Sequence, residues 1–327
     1  MRTNRVSKGF RRRTGPATAA ILGAVAVCIS CASTTDARIA SGESVSTMER
    51  GVSFRRADAG RLTAKTSIIS YPVRHDGRTW HTAGVLNVPY STAQTPRPAV
   101  VLVHGSGGVD SRGAGYAEAL NRAGFVTLEI DLWAPRHVRS AATRPRSVSE
   151  TLPDAYGALA FLSAATEDVD SRRIGITGFS WGGVVSMLSA TRANRDLHAA
   201  GDQAFAAHAP VYPVCWVYNK VPGYAFFGLT GAPVFIQAGT ADTYDTPDSC
   251  QTLQGSLSAH DQPLVRVKVY ADATHAWDRR EPDATIVDPY SHLGAGGEVP
   301  LRYSETTTRQ STNALVDFFR ATLDGAR

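Results

Sequence analysis

An α/β fold is what this chain of 327 residues predicts: one mostly parallel sheet of about eight strands, with helices on both faces. Three observations carry that expectation. Short, near-continuous apolar runs alternate with helical segments, as strands buried on both faces require. Two half-polar alternating runs come first and meet at His75-Asp76-Gly77, the pattern of an antiparallel hairpin. One apolar run then leads directly into Gly-Phe-Ser-Trp-Gly at 178–182 and a second apolar stretch, a strand–turn–helix unit.

The elements follow in order. Residues 67–73 and 79–88 form the hairpin, because polar and apolar residues alternate with period two. Runs at 99–103, 125–130, 174–176, 204–211, 234–238 and 265–270 are the parallel strands. Helical segments at 116–123, 149–165, 181–192 and 247–259 separate most of them, and a helix at 308–323 closes the chain. Residues 281–309 break the rhythm. They are rich in Pro, Gly, Ser and Thr and predict a loop, and a loop that long is usually functional or mobile. Whether it flanks a site entrance or only covers surface stays open at this point.

The N-terminal end has a different character. Residues 1–32 hold six Arg or Lys and no acid, and 17–32 is uncharged and mostly apolar, ending in Ser30-Cys31-Ala32. A basic start, an apolar segment and small residues after it predict a secretory signal peptide over 1–32. Its apolar run falls short of the ~20 residues of a membrane span. Export to the periplasm or the medium is therefore expected, with lipid attachment at Cys31 as the alternative that the preceding Cys28 and Ile29 disfavour. Residues 33–64, small, polar and without period, form a flexible lead-in. The α/β domain is expected over 65–327. The formal charge of +5 belongs to the leader: without its six cations, 28 Lys and Arg face 29 Asp and Glu. No basic, aromatic-interleaved face remains for nucleic acid, and no His-Glu-x-x-His or Cys/His cluster has metal-ligand spacing.

The unit around 178–182 has the form of the nucleophile elbow of an α/β-hydrolase. A serine hydroxyl attacks carbonyls well only when exposed beside a base, with amide N–H groups near the developing oxyanion. A turn sharp enough to expose Ser180 crowds the backbone, so Gly178 and Gly182 lack side chains. In this fold the acid and then the base follow the serine in the chain. Asp242 comes directly after the strand at 234–238 and is the expected acid. Asp245 and Asp248 are its rivals, the latter placed to serve as an N-terminal helix charge. Among the later histidines, His260 reads as a C-terminal helix charge and His292 lies in the Gly-rich segment. His275, one short turn after the strand at 265–270, is the expected base. One oxyanion donor is the Trp181 amide. The other comes from the loop His104-Gly-Ser-Gly-Gly108, with Ser106 first and Gly107 second, while His104 holds the loop by hydrogen bonding.

Removing the leader leaves Cys215 and Cys250, an even pair for an oxidising compartment. Cys215 follows one strand and Cys250 opens the helix after the next, close enough for a bridge. The loop closed spans about 34 residues, worth roughly 3–4 kcal/mol in the chain-entropy model. Two buried thiols are the alternative.

The stretches His104-Gly-Ser-Gly-Gly108, Glu129-Ile-Asp-Leu-Trp-Ala-Pro-Arg136, Arg173-Ile-Gly-Ile-Thr-Gly-Phe-Ser-Trp-Gly-Gly183 and Tyr212-Pro-Val-Cys215 resemble the dienelactone hydrolase family of α/β-hydrolases. So do Gly239-Thr-Ala-Asp242 and Ala273-Thr-His-Ala276, and the likeness spans about residues 65 to 325. The resemblance implies hydrolysis of a small ester or lactone through an acyl-enzyme, without metal or organic cofactor. The namesake enzymes use a cysteine where this chain has Ser180, which favours a general carboxylesterase over a dienelactone hydrolase in the strict sense. A peptidase or acyltransferase on the same scaffold, and a binding protein with an idle triad, are the competing readings.

Overall fold

Asp76 and Gly77 take φ of 48° and 71°, the left-handed pair that a two-residue hairpin turn demands and an Asp-Gly sequence supplies at low cost. They join β1 (Ala64–His75) to β2 (Arg78–Pro89), in antiparallel register from Ala64 opposite Pro89 to His75 opposite Arg78. The computed structural model describes residues 64–90, 96–140 and 143–324. The leader expected over 1–32 and residues 33–63 lie outside the described residues, and Ala64, placed above in the lead-in, already belongs to β1.

The hairpin is the edge of an eight-stranded sheet that continues through β3 (Arg97–Val103), β4 (Val126–Asp131), β5 (Val169–Phe179), β6 (Ala207–Val211), β7 (Val234–Gly239) and β8 (Val265–Tyr270). The spatial order is β1-β2-β4-β3-β5-β6-β7-β8. β2 meets β4 antiparallel, and every later pairing is parallel. Ala99 to Val103 on β3 are fully buried, which is why this segment reads as an unbroken apolar run. One face packs under α2 (Leu152–Ala164), α3 (Trp181–Ser189) and α5 (Ser249–Gly255); the other packs under α1 (Ser111–Arg122) and α7 (Glu305–Phe319). A wholly buried Asp154 on α2 ties in the hairpin, accepting from Trp80 Nε1 (2.9 Å), Thr82 Oγ1 (2.5 Å) and Arg136 Nη2 (2.7 Å).

Several boundaries differ from expectation for local reasons. α1 begins at Ser111 because Asp110 caps it, accepting from the Arg112 amide at 3.1 Å. The helix expected over 181–192 is two: α3 ends at Ser189, and Thr191 caps a separate α4 (Arg192–His198). α5 stops at Gly255, so His260 is not a helix-end charge; its Nδ1 lies 3.2 Å from Asp261 Oδ1. The loop expected over 281–309 is instead a second small sheet. β9 (Ala284–Asp288) and β10 (Gly297–Leu301) pair antiparallel across a single turn, α6 (Ser291–Gly294). The β-branched run Thr285-Ile286-Val287 is strand-forming, and the Gly, Pro and Ser content around it hid that signal.

Cys215 and Cys250 are joined by a disulfide with Cα atoms 5.0 Å apart. It links the turn after β6 to α5. Among the described residues, no helix is long and apolar enough to cross a membrane. Replacing both cysteines by serine should lower unfolding free energy by about 3–4 kcal/mol, the loop-closure value for a crosslink of this span. Urea unfolding with and without reductant measures this; a loss under about 1 kcal/mol would show that the crosslink does not constrain the unfolded chain.

Candidate active site

β5 runs into Ser180, whose φ of 52° and ψ of −109° no helix or strand residue adopts. The Ser180 amide donates to the Val211 carbonyl on the neighbouring strand (3.0 Å), and α3 starts one residue later. A Cβ on Gly178 would overlap the Gly182 carbonyl, and one on Gly182 would overlap the Val103 carbonyl. Both glycines are therefore steric requirements of the turn.

Two later loops converge on this serine. His275 follows β8 and Asp242 follows β7, and the two are 4% and 6% exposed. His275 Nε2 lies 2.9 Å from Ser180 Oγ, and His275 Nδ1 lies 2.7 Å from Asp242 Oδ2. An ionised carboxylate only accepts, so the ring proton sits on Nδ1 and the Nε2 lone pair faces the serine. Asp242 Oδ1 is occupied by the Tyr244 amide at 3.0 Å, which fixes the carboxylate plane.

The rival residues are engaged elsewhere. Asp245 accepts from the Cys215 and Trp216 amides, both at 2.7 Å. Asp248 stands at the start of α5, where its Oδ1 accepts from Thr246 Oγ1. His292 Nε2 donates to the Glu298 carbonyl at 3.0 Å. Burial and then the charge of Asp242 push the Asp245 carboxyl up to about 7. Burial likewise pushes Glu129, behind α1, up to about 7, with Asp110 adding to the effect.

In the loop after β3 the Gly108 amide donates to the Gly105 carbonyl (3.0 Å). His104, 3% exposed, clamps the loop as expected: Nδ1–H donates to the Gly105 carbonyl (2.7 Å) and Nε2 accepts from the Leu132 amide (2.9 Å). The Ser106 carbonyl accepts from Trp133 Nε1 (3.2 Å). Ser106 and Gly107 border a cavity of about 260 Å³ that also holds Ser180 and His275. Trp181 is the first residue of α3, so its amide has no partner inside the helix.

Sequence reasoning missed the supports behind the histidine. The rings of Tyr212 and Tyr244 pack on the His275 ring with centroids 4.8 and 4.4 Å away. Tyr212 OH donates to Asp278 Oδ1 (2.5 Å), Tyr116 OH donates to Oδ2 (2.9 Å), and Arg112 Nη1 donates to Tyr212 OH (3.3 Å). Burial raises the pKa of Asp278, while Arg112 and the two phenols hold it down. Only Asp278, three residues past His275, could have been suspected from spacing. A cavity of about 680 Å³ between α1 and α7 borders none of Ser180, Asp242 and His275. Cys215, Asp245 and Cys250 lie within ligand distance of one another, but both sulfurs belong to the disulfide and offer no thiolate.

A serine on a strained strand-to-helix turn, approached by an imidazole and a carboxylate from later loops of an eight-stranded sheet, defines the α/β-hydrolase class. The family model of the dienelactone hydrolases matches residues 83–323. The chain belongs to the dienelactone hydrolase family and is by class a carboxylic ester hydrolase. A Klebsiella pneumoniae protein assigned as a dienelactone hydrolase is 18% identical over 78% of this chain and 98% of its own, with a TM-score of 0.54. A dienelactone hydrolase-like promiscuous phosphotriesterase from metagenomic libraries is 20% identical, covering 80% and 99%, with a TM-score of 0.52. An esterase of Pyrobaculum calidifontis is 15% identical, covering 79% and 85%, with a TM-score of 0.53. At these identities the likeness concerns the fold. No curated protein is similar enough to count as a relative.

Asp245 supplies a pH signature. Its folded value of about 7 lies above the ordinary carboxyl value, so its neutral form is favoured on folding. That contribution is fully present below pH ~4 and is lost as pH rises through about 7. Asparagine cannot ionise. The stability of Asp245→Asn relative to wild type should therefore climb from pH 4 to 7 and level off above 8. Urea unfolding at pH 4.5, 6, 7 and 8.5 reads this, and a flat difference would contradict the burial of an ionisable carboxyl here.

Proposed function

We propose that this protein hydrolyses carboxylic esters or lactones through an acyl-enzyme on Ser180. The observation that carries the proposal is the continuous hydrogen-bonded series from Ser180 Oγ through His275 (2.9 Å) to Asp242 (2.7 Å) at the elbow. Neutral His275 takes the Ser180 proton at Nε2 as Oγ bonds to the substrate carbonyl carbon. Asp242 stabilises the imidazolium that results. The carbonyl oxygen becomes an oxyanion held by the Trp181 amide and by Ser106, with Gly107 as the next donor in the loop. Collapse breaks the carbon–oxygen bond to the alcohol, which leaves with the proton from His275. Water then adds its oxygen to the acyl carbon as it gives a proton to His275, and collapse breaks the bond to Ser180 Oγ, which takes that proton back from His275 as the carboxylic acid leaves. In a lactone the alcohol stays tethered to the acyl group, and the same steps open the ring.

We also propose export, with residues 1–32 removed. The Cys215–Cys250 disulfide supports it, since such a bond persists in oxidising compartments. N-terminal sequencing of protein recovered from the periplasm or medium should begin near residue 33. Recovery of an intact Met1 start from the cytosol alone would end this part of the proposal.

Ser180→Ala should fold and lose nearly all turnover, and a serine-directed phosphonate should label the Ser180 peptide of the wild type. Asp242→Asn should cost on the order of 10⁴ in kcat, by comparison with the serine-protease acid. His292→Gln should keep turnover within about twofold, because the His292 ring bonds the Glu298 carbonyl and not Asp242 or Ser180. Labelling at another residue, or a fully active Ser180→Ala, would overturn the assignment.

A further inference from the structure

Arg112, in the first turn of α1, is 6% exposed, a rare place for a guanidinium. Its contacts run in three directions. Nε lies 2.8 Å from Asp110 Oδ1 and 3.0 Å from Oδ2, which anchors the group to the N-cap of its own helix. The guanidinium carbon lies over the ring of Phe179, the residue before Ser180, at 5.6 Å from the centroid. Nη1 donates to Tyr212 OH at 3.3 Å. The loop after β3 packs directly on the same group, for a Cβ on Gly105 would come within 3.0 Å of Nη2. Arg112 also borders the cavity that holds Ser180 and His275.

A largely buried ion pair is a poor source of stability, because apolar residues of similar volume do as well or better. The neighbours of the Asp110–Arg112 pair give it another use. Tyr212 OH donates its own proton to Asp278, and its ring packs on both His275 and Trp277, with centroids 4.8 and 4.7 Å away. Burial works against the charge of Asp278, and Arg112 is the strongest group opposing it. With that charge kept, Asp278 accepts from Tyr212 and Tyr116 together, and the phenol end of Tyr212 is fixed. On the reading of Ser180 and His275 proposed above, the base and the oxyanion donors must be aligned in one transition state. They stand on different loops, after β8 and after β3. We infer that Arg112 is a positioning residue of this active site: one guanidinium sets the oxyanion loop, through Gly105, and the base, through Tyr212, relative to Ser180. A misplacement of about 1 Å in such groups costs on the order of 10² in rate.

The test measures kcat and KM per folded molecule on p-nitrophenyl acetate, together with the low-field proton NMR signal of His275 Nδ1–H. Arg112→Met combined with Asp110→Asn removes both charges at once and keeps a helix cap. Tyr212→Phe keeps the ring on His275 and cuts only the link from Arg112 to Asp278. Each should lower kcat about 10–100-fold, leave KM within about threefold, and shift or broaden the proton signal. Arg112→Lys, a point charge without the planar fork, should not restore kcat. Arg122→Gln, in the exposed last turn of the same helix, should change neither reading. Should the double variant fail to fold, Tyr212→Phe decides alone. Lower thermal stability with kcat per folded molecule and the proton signal unchanged would overturn the inference and leave the esterase reading intact. Full activity in Arg112→Lys would overturn it too, since a point charge would then suffice. A wild type that turns over no ester overturns the esterase reading itself, and the inference falls with it.

Discussion

Everything at the site depends on how closely the chain can approach itself at one turn. Ser180 sits at φ 52° between Gly178 and Gly182, and neither glycine could carry a side chain without displacing a neighbouring carbonyl. The Val103 carbonyl that crowds Gly182 belongs to β3, the central strand, so the turn is pressed against the most buried part of the sheet. Strain of about 1–3 kcal/mol at such a residue survives only where packing leaves no alternative. The wholly buried apolar run from Ala99 to Val103 thus does two things: it makes the core, and it forces the serine outward.

A second layer of constraint is polar. Asp278 is buried with Tyr116, Tyr212 and Arg112 around it, and Tyr212 in turn packs on His275. A carboxyl in that environment is costly unless every lone pair is met, and two phenols meet it. The same economy appears at Asp154, where Trp80, Thr82 and Arg136 converge and pin the edge hairpin to α2. Removing one partner from such a buried pair costs roughly 3–5 kcal/mol. Both networks link segments far apart in sequence, and they hold the loops after β4, β6 and β8 at fixed distances from the elbow.

Much of the fold was legible in the residues. The strand at 265–270 agrees with β8 at both ends, and the Asp-Gly turn identified the hairpin because few residue pairs accept two positive φ values in succession. Ser180, Asp242 and His275 were chosen from chain order and meet within hydrogen-bond distance. The segment 281–309 was misread as a loop. Its strands are short, and their pairing is to each other, so only the β-branched residues at 285–287 marked them against a background of Gly and Pro.

By itself the sequence determined whatever depends on local geometry: the sheet's rhythm, the turn at 76–77, the glycines that an elbow must have, and the order of the candidate catalytic residues. Only the tertiary structure decided which partners lie behind them. That Asp245 caps the turn at 215–216 and not His275, that Tyr212 and Tyr244 flank the imidazole, and that Arg144 pairs with Asp288 are facts about residues 29 to 144 positions apart. Such contacts carry no periodicity and no spacing rule. They arise when parallel strands, each buried on both faces, bring their C-terminal loops to one edge, and that convergence exists only after the sheet has formed.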